Sequence, residues 1–232
     1  MFCAAPERPA GTPITGQHDF DYWWTLPGDW VEEPNERRNG WSGVIRAVVE
    51  DGEVYIKRQC NHLCRSLRHP LGWPTASREW HFLLRLRALG IAAPTPVFHS
   101  VRHTAAGTEA VLVTAALAGY HPLHELGALP SARRAAIAEL LGRMLGRLHR
   151  EHLQHSCLYD KHVMVRLHDN ARPDVALLDL EKMRHRLTPT LAARHDLAQL
   201  RRRQRFFDDQ DWARLLASHT HALTGRWASI RR

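Results

Sequence analysis

The chain has 232 residues, 44% of them hydrophobic and 24% charged, enough for one large domain or two small lobes around a shared cleft. No apolar run reaches the roughly 18 residues of a membrane-spanning helix, and the opening MFCAAPERPAGTPITGQ lacks the basic start and apolar core of a secretory signal. The net charge of +8 points to anionic partners, yet no nucleic-acid-binding motif is present, so nucleic acid is not expected as one.

A loose tail is expected over residues 1–17. The segment HDFDYWWTLPGDW that follows carries three tryptophans, expected to pack as a lid or edge. Residues from Glu36 to Gln59 then read as two strands around the turn pair Asp51-Gly52. On the second strand Val54 and Ile56 share one face, and Tyr55 and Lys57 the other. Residues 75–89 read as a helix, with Pro74 before it, Thr75 as a cap and Gly90 as a stop. Its apolar stripe is Phe82, Leu83, Leu86 and Leu89, and Glu79 lies at the start of that inward face. A carboxylate aimed inward wants a cation, and Lys57 is the natural candidate.

Two more strands are expected in PTPVFHSVRH and EAVLVTAAL, then a small hinge at Ala118-Gly119. Residues 131–150 form a long helix capped by Ser131, with Ile137, Leu140, Leu141, Met144 and Leu148 on one side. HSCLYDKHVMV and VALLDLEK read as a loop and a hairpin ending in an acid. A hairpin sets the start of its first strand beside the end of its second, so His162 and Asp179 are expected to be neighbours. Residues 190–205 and 209–223 read as helices, the first ending in the dense run Arg201, Arg202, Arg203 and Arg205. That run reads as a solvated helix face, with attraction to an anionic membrane as its functional competitor. Cys3, Cys60, Cys64 and Cys157 make no disulfide framework. Cys60, His62 and Cys64 have zinc-compatible spacing, but no second Cys/His pair with matching spacing follows.

Taken in order, these parts are a glycine-bearing hairpin (Asn39-Gly40-Trp41-Ser42-Gly43), a strand lysine, a helix glutamate, a hinge, a long helix, a His-led loop and a hairpin ending in Asp. This order resembles a protein-kinase-like fold. Over residues 19–205 the chain resembles the Kdo/WaaP-type lipopolysaccharide kinases, and within them the InaA-like branch. The resemblance rests on GDWVE, RRNGWSGV, YIKRQ, RSLRHPLG, REW, CLYDKH, LLDLEK and HDLAQLRR. It implies an α+β, two-lobed fold: an antiparallel sheet plus one helix over residues 18–117, then a mainly helical lobe over 118–232.

It also implies ATP and Mg²⁺ as cofactors, and lipopolysaccharide core as the acceptor. Lys57 would contact the phosphates of ATP and Glu79 would hold Lys57. Gly40 and Gly43 would let backbone N–H groups approach phosphate. Asp179 and His162 would bind metal, and Asp196 would brace the catalytic loop. Cys157 stands where such loops keep an Asp that orients the acceptor hydroxyl. Three outcomes compete: Asp160 takes the role of base, the enzyme works without a strong base, or the protein binds nucleotide without turnover. The implied location is the cytoplasm, with peripheral attachment to the inner membrane; no oligomeric state is implied.

Overall fold

The computed structural model describes residues 18–37, 40–66, 69–169 and 172–225. The expected tail and Asn39 lie outside the described residues. Helix α1 (Phe20–Thr25) opens the fold, and the carboxylate of Asp19 caps it by accepting from the Tyr22 N–H at 2.9 Å. The Trp-rich segment is therefore a short helix carrying Trp23 and Trp24, with Trp30 on the strand that follows. Trp23 is buried with Ile45, Val54, Ile56, Val111 and Val113, so α1 covers one face of a sheet. Six residues are too few for a helical period to be read from sequence.

That sheet has five antiparallel strands in the order β1-β2-β3-β7-β6. Strand β1 (Asp29–Arg37) is followed by β2 (Gly40–Val49) and β3 (Gly52–Cys60). The sequence reading missed β1, which is exposed and acidic and carries Pro34. An edge strand with a shifted register tolerates that proline. A small hairpin, β4 (Leu63–Ser66) with β5 (His69–Pro74), was also unexpected. Helix α2 (Thr75–Ala88) follows, then β6 (Pro96–Thr104) and β7 (Gly107–Ala115).

The pleat sorts the side chains of β3 as expected. Ile56 pairs with Val113 on the face that α1 covers. Lys57 pairs with Leu112, whose side chain belongs to the core on the other face. Phe82, Leu83 and Leu86 of α2 enter that same core, and Glu79 is buried beside them.

The second half holds β8 (His121–Pro122), α3 (Ser131–Arg150), β9 (Leu153–Gln154), β10 (Val163–Arg166), β11 (Asp174–Leu177), β12 (Arg184–His185), α4 (Pro189–Arg203) and α5 (Asp209–Thr224). A turn of 3-10 helix at Asp160–His162 leads into β10. At the expected hinge, Gly119 sits at φ +75°, beside a turn closed by Tyr120 N–H on the Leu117 carbonyl. One apolar cluster runs from α2 and β7 through Ile137, Leu141, Leu145 and Leu148 of α3 to Leu200 of α4 and Leu215 of α5. No helix of the described residues is long and apolar enough to cross a membrane.

Two expected caps are corrected. Neither Thr75 nor Ser131 caps its helix; each is the first helical residue, preceded by a proline without a capping side chain. For α2 the cap comes from the sheet. Gln59 lies two residues beyond Lys57 on the same face of β3. Its carbonyl oxygen accepts the Ala76 N–H at 2.9 Å, and its amide donates to Thr75 Oγ1 at 2.7 Å. A buried side chain thus satisfies an orphan N–H of the helix and ties α2 to the strand that carries Lys57.

Candidate active site

Strand β3 and helix α2 bring Lys57 and Glu79 together at 2.6 Å, both largely buried. Glu181, four residues past the end of β11, adds a second carboxylate 3.3 Å from the same ammonium. Burial alone would lower the pKa of Lys57, but Glu79, Glu181 and Asp179 outweigh it and hold the pKa above the usual lysine range. Burial pushes the Glu79 carboxyl up, and Lys57 does not cancel the effect. Glu181 feels burial too, yet Lys57 brings it below its ordinary value. Lys57 thus stands between two carboxylates, with Asp179 nearby, and Lys182 also acts on Glu181.

The hairpin of β10 and β11 makes the expected second pair. His162 Nε2 lies 3.5 Å from Asp179 Oδ2. The other nitrogen of the ring, Nδ1, is 2.6 Å from the Cys157 carbonyl, which can only accept. Nδ1 is thus the donor, and in the neutral ring Nε2 turns its lone pair toward the carboxylate. A cation between the two would relieve that opposition. Asp179 itself adopts φ +62°, a left-handed conformation that costs a non-glycine residue roughly 1 kcal/mol or more.

The loop between β9 and the 3-10 turn is held from below by α4. Asp196 is fully buried; it accepts the His155 N–H at 2.6 Å and the Ser156 N–H at 2.9 Å. Gln199, one turn further along α4, accepts the Leu158 N–H at 2.7 Å. His155 Nε2 donates to the Leu178 carbonyl at 3.0 Å, which joins the loop to the residue before Asp179. These bonds pin Ser156 at φ +71° and present Cys157 and Asp160 beyond it. Burial pushes the Cys157 thiol up, and Lys182 beside it does not offset this. Cys157 therefore stays a protonated thiol near neutral pH and is a poor proton acceptor. Asp160 is partly exposed, and its Oδ1 accepts the Lys161 N–H at 3.0 Å.

A lysine–glutamate pair, an acid after a hairpin and a loop braced by a buried aspartate are thus brought together, as the order of parts in the sequence led one to expect. The model of the lipopolysaccharide kinase (Kdo/WaaP) family matches residues 21–219. The chain belongs to this family. It is 35% identical to the protein InaA of Escherichia coli (strain K12) over 211 residues, which cover 88% of this chain and 97% of that one. Its fold matches WaaP, solved in complex with acyl carrier protein, with a TM-score of 0.67 at 24% identity, covering 87% of this chain and 82% of that one. It also matches the Rio2 kinase of Chaetomium thermophilum, solved as an ADP/Mg²⁺-phosphoaspartate complex, with a TM-score of 0.51 at 13% identity, covering 85% and 66% of the two chains. At those identities the two structures establish the protein-kinase-like fold.

In this member of the Kdo/WaaP family, Gly40 and Gly43 have a structural reason of their own. A Cβ on Gly40 would stand 2.2 Å from the Cys60 carbonyl oxygen, and one on Gly43 would stand 2.7 Å from the Trp30 ring. Both glycines therefore let neighbouring strands approach. Trp41, between them, packs against Trp24 at 5.7 Å. Glu181, Gln59 and Gln199 were not anticipated as parts of the site. The signals were spacing alone: Gln59 is two residues along the strand from Lys57, and Gln199 is three along the helix from Asp196.

Below the loop, the ring nitrogens form a buried chain. His149 Nε2 donates to the Asp196 carboxylate at 3.2 Å, and His149 Nδ1 lies 2.8 Å from His219 Nε2. Burial first, and His149 second, pull the pKa of His219 from 6.5 to about 4. The folded state keeps His219 neutral, while the unfolded state takes up a proton more readily. Its contribution to stability is complete above pH 6.5 and declines as the pH falls toward about 4. Denaturant titrations across that window should lose on the order of 3 kcal/mol from this group, and His219→Gln should flatten the decline.

Proposed function

We propose that this chain is an ATP-dependent kinase that transfers the γ-phosphate to a sugar hydroxyl in the heptose/Kdo region of the lipopolysaccharide core. The observation that carries the reading is the buried 2.6 Å pair of Lys57 and Glu79, facing the pair of His162 and Asp179. In this reading Lys57 contacts the nucleotide phosphates, Glu79 and Glu181 orient it, and Gly40 and Gly43 shape the hairpin over them. His162 and Asp179 would hold Mg²⁺. The fit is a sparse one: among the described residues no group of three or more His, Cys, Asp or Glu side chains forms a metal cage. Mg²⁺ is commonly bound through one or two carboxylates, with phosphates and water completing its shell. The ion would supply charge neutralisation at the phosphates. The chain's own part is to position and to exclude water, because a loose phosphoryl-transfer transition state asks little else. Asp160 is the base in this reading.

The proposed division of the chain is a lobe over 18–117 and a second over 118–232, with the site at their junction. The proposed location is the cytoplasmic face of the inner membrane. The exposed Arg201, Arg202 and Arg203 at the end of α4 would meet anionic headgroups there. A second reading, a nucleotide-binding protein without turnover, is favoured by one observation: the loop position of Cys157 holds a buried, protonated thiol. The two readings part in one experiment. Mg-ATP and core oligosaccharide are incubated with the protein and with Asp160→Asn. Transfer that falls in the variant supports the enzyme; ATP binding with no transfer in either supports the second reading.

A further inference from the structure

Between β3 and β4 the chain turns through Asn61 and His62, inside the segment whose Cys-x-His-x-Cys spacing is compatible with zinc. The two sulfurs of that segment go to separate carbonyls: Cys60 Sγ lies 3.7 Å from that of Ala106 and Cys64 Sγ 3.2 Å from that of Trp73. Asn61 adopts φ +54°, a left-handed conformation that asparagine tolerates. Its side chain is pinned to the β6–β7 turn, where Oδ1 accepts the Thr108 N–H and Nδ2 donates to the Ala106 carbonyl, each at 2.9 Å. The turn so held delivers His62 inward, with only 9% of the residue exposed.

There His62 meets the first turn of α2. Its carbonyl accepts the Thr75 N–H at 3.1 Å. Its Nδ1 lies 3.1 Å from Thr75 Oγ1 and 3.4 Å from the Gln59 amide nitrogen. Gln59 by itself already serves Thr75 Oγ1 and the Ala76 N–H, so the cap of α2 does not need the ring to be complete. What the ring adds is a fixed place for Thr75. Glu79 is four residues further along α2, on the same face one turn away. Anchoring Thr75 therefore sets where Glu79 meets Lys57.

His62 acts on the other carboxylate of Lys57 as well. Burial would raise the pKa of Glu181, but Lys57, then Lys182 and His62, bring it below its ordinary value. Glu79 comes from α2 and Glu181 from the second half of the chain, and both converge on one ammonium.

We infer that His62 is a positioning residue of the phosphate site: it braces both carboxylates that hold Lys57, Glu79 through the first turn of α2 and Glu181 directly, and so fixes the ammonium where a nucleotide phosphate would meet it. The inference rests on the kinase reading for its purpose and adds to it a residue outside the Lys57–Glu79 pair.

The test reads Lys57 without any nucleotide. Only an unprotonated amine reacts with acetic anhydride, so a tightly paired ammonium labels slowly. The full chain is labelled well below its melting temperature, and the acetylation of Lys57 is measured by mass spectrometry against that of exposed Lys161. His62→Leu should raise the relative labelling of Lys57 about tenfold, and His62→Gln, an amide of similar reach, should restore part of the protection. Glu181→Gln should also raise it, and the double variant should gain less than the two single effects combined. Mg-ADP affinity, measured by calorimetry on the same samples, should fall about tenfold in His62→Leu. Unchanged or slower labelling of Lys57 in His62→Leu, or effects of His62 and Glu181 that simply multiply, would overturn the inference. Labelling that changes as expected in a parent protein that binds no Mg-ADP would uphold the hold of His62 on Lys57 and overturn the nucleotide reading instead.

Discussion

Asp179→Asn is expected to lower phosphotransfer by about a thousandfold while leaving the fold intact. The carboxylate faces His162 Nε2 at 3.5 Å and adds to the negative charge around Lys57. Removing its charge should weaken the hold on Mg²⁺ at the phosphates, an effect worth several kcal/mol of transition-state stabilisation. Asparagine is the right substitution because Asp179 sits at φ +62°, which Asn tolerates and Ala does not. The side chain is partly exposed, so its loss should move the melting temperature little. Steady-state transfer rates and a thermal melt on the same sample check both halves of this expectation. A variant as active as the parent would remove Asp179 from the site.

Asp196→Ala is expected to act on stability, and severely. The carboxylate is fully buried and accepts from the His155 and Ser156 backbone, from His149 and, at 3.3 Å, from His195. Burial would push its pKa up, but His149, His155 and the backbone donors hold it below the ordinary carboxylate range. Alanine leaves at least two buried backbone N–H groups and the His149 ring without an acceptor, at about 1–3 kcal/mol each. The sum approaches the whole stability of an ordinary domain. We expect a fall of about 10 °C or more in melting temperature, with Asp196→Asn intermediate because its amide accepts through one oxygen only. Thermal melts of the two variants beside the parent measure it.

Much of this site was legible because two periodicities carried it. The alternation of β3 placed Lys57 opposite Ile56, and the stripe of α2 placed Glu79 inward, so their 2.6 Å pairing was foreseeable only from the two elements taken together. Hairpin geometry likewise foretold His162 beside Asp179. What escaped was tertiary. Glu181 reaches Lys57 across 124 positions of sequence, and no local pattern marks it. Gln59 replaces a helix cap that Thr75 was expected to provide, because a buried amide from the sheet outcompetes a local hydroxyl. The β4–β5 hairpin has too little alternation to announce itself. The glycines of the first hairpin were expected for phosphate approach; what the structure gives them is relief of contacts with neighbouring parts of the sheet, a demand invisible in the sequence alone.

The chain's central claim to enzymatic function turns on phosphate reaching a sugar. The direct measurement is phosphorus NMR of lipopolysaccharide core oligosaccharide after incubation with the pure protein and Mg-ATP, beside an Asp179→Asn control. The account predicts a new phosphomonoester resonance with the parent protein and none above background with the variant. The same spectrum from both proteins, while each still binds Mg-ATP, would contradict it.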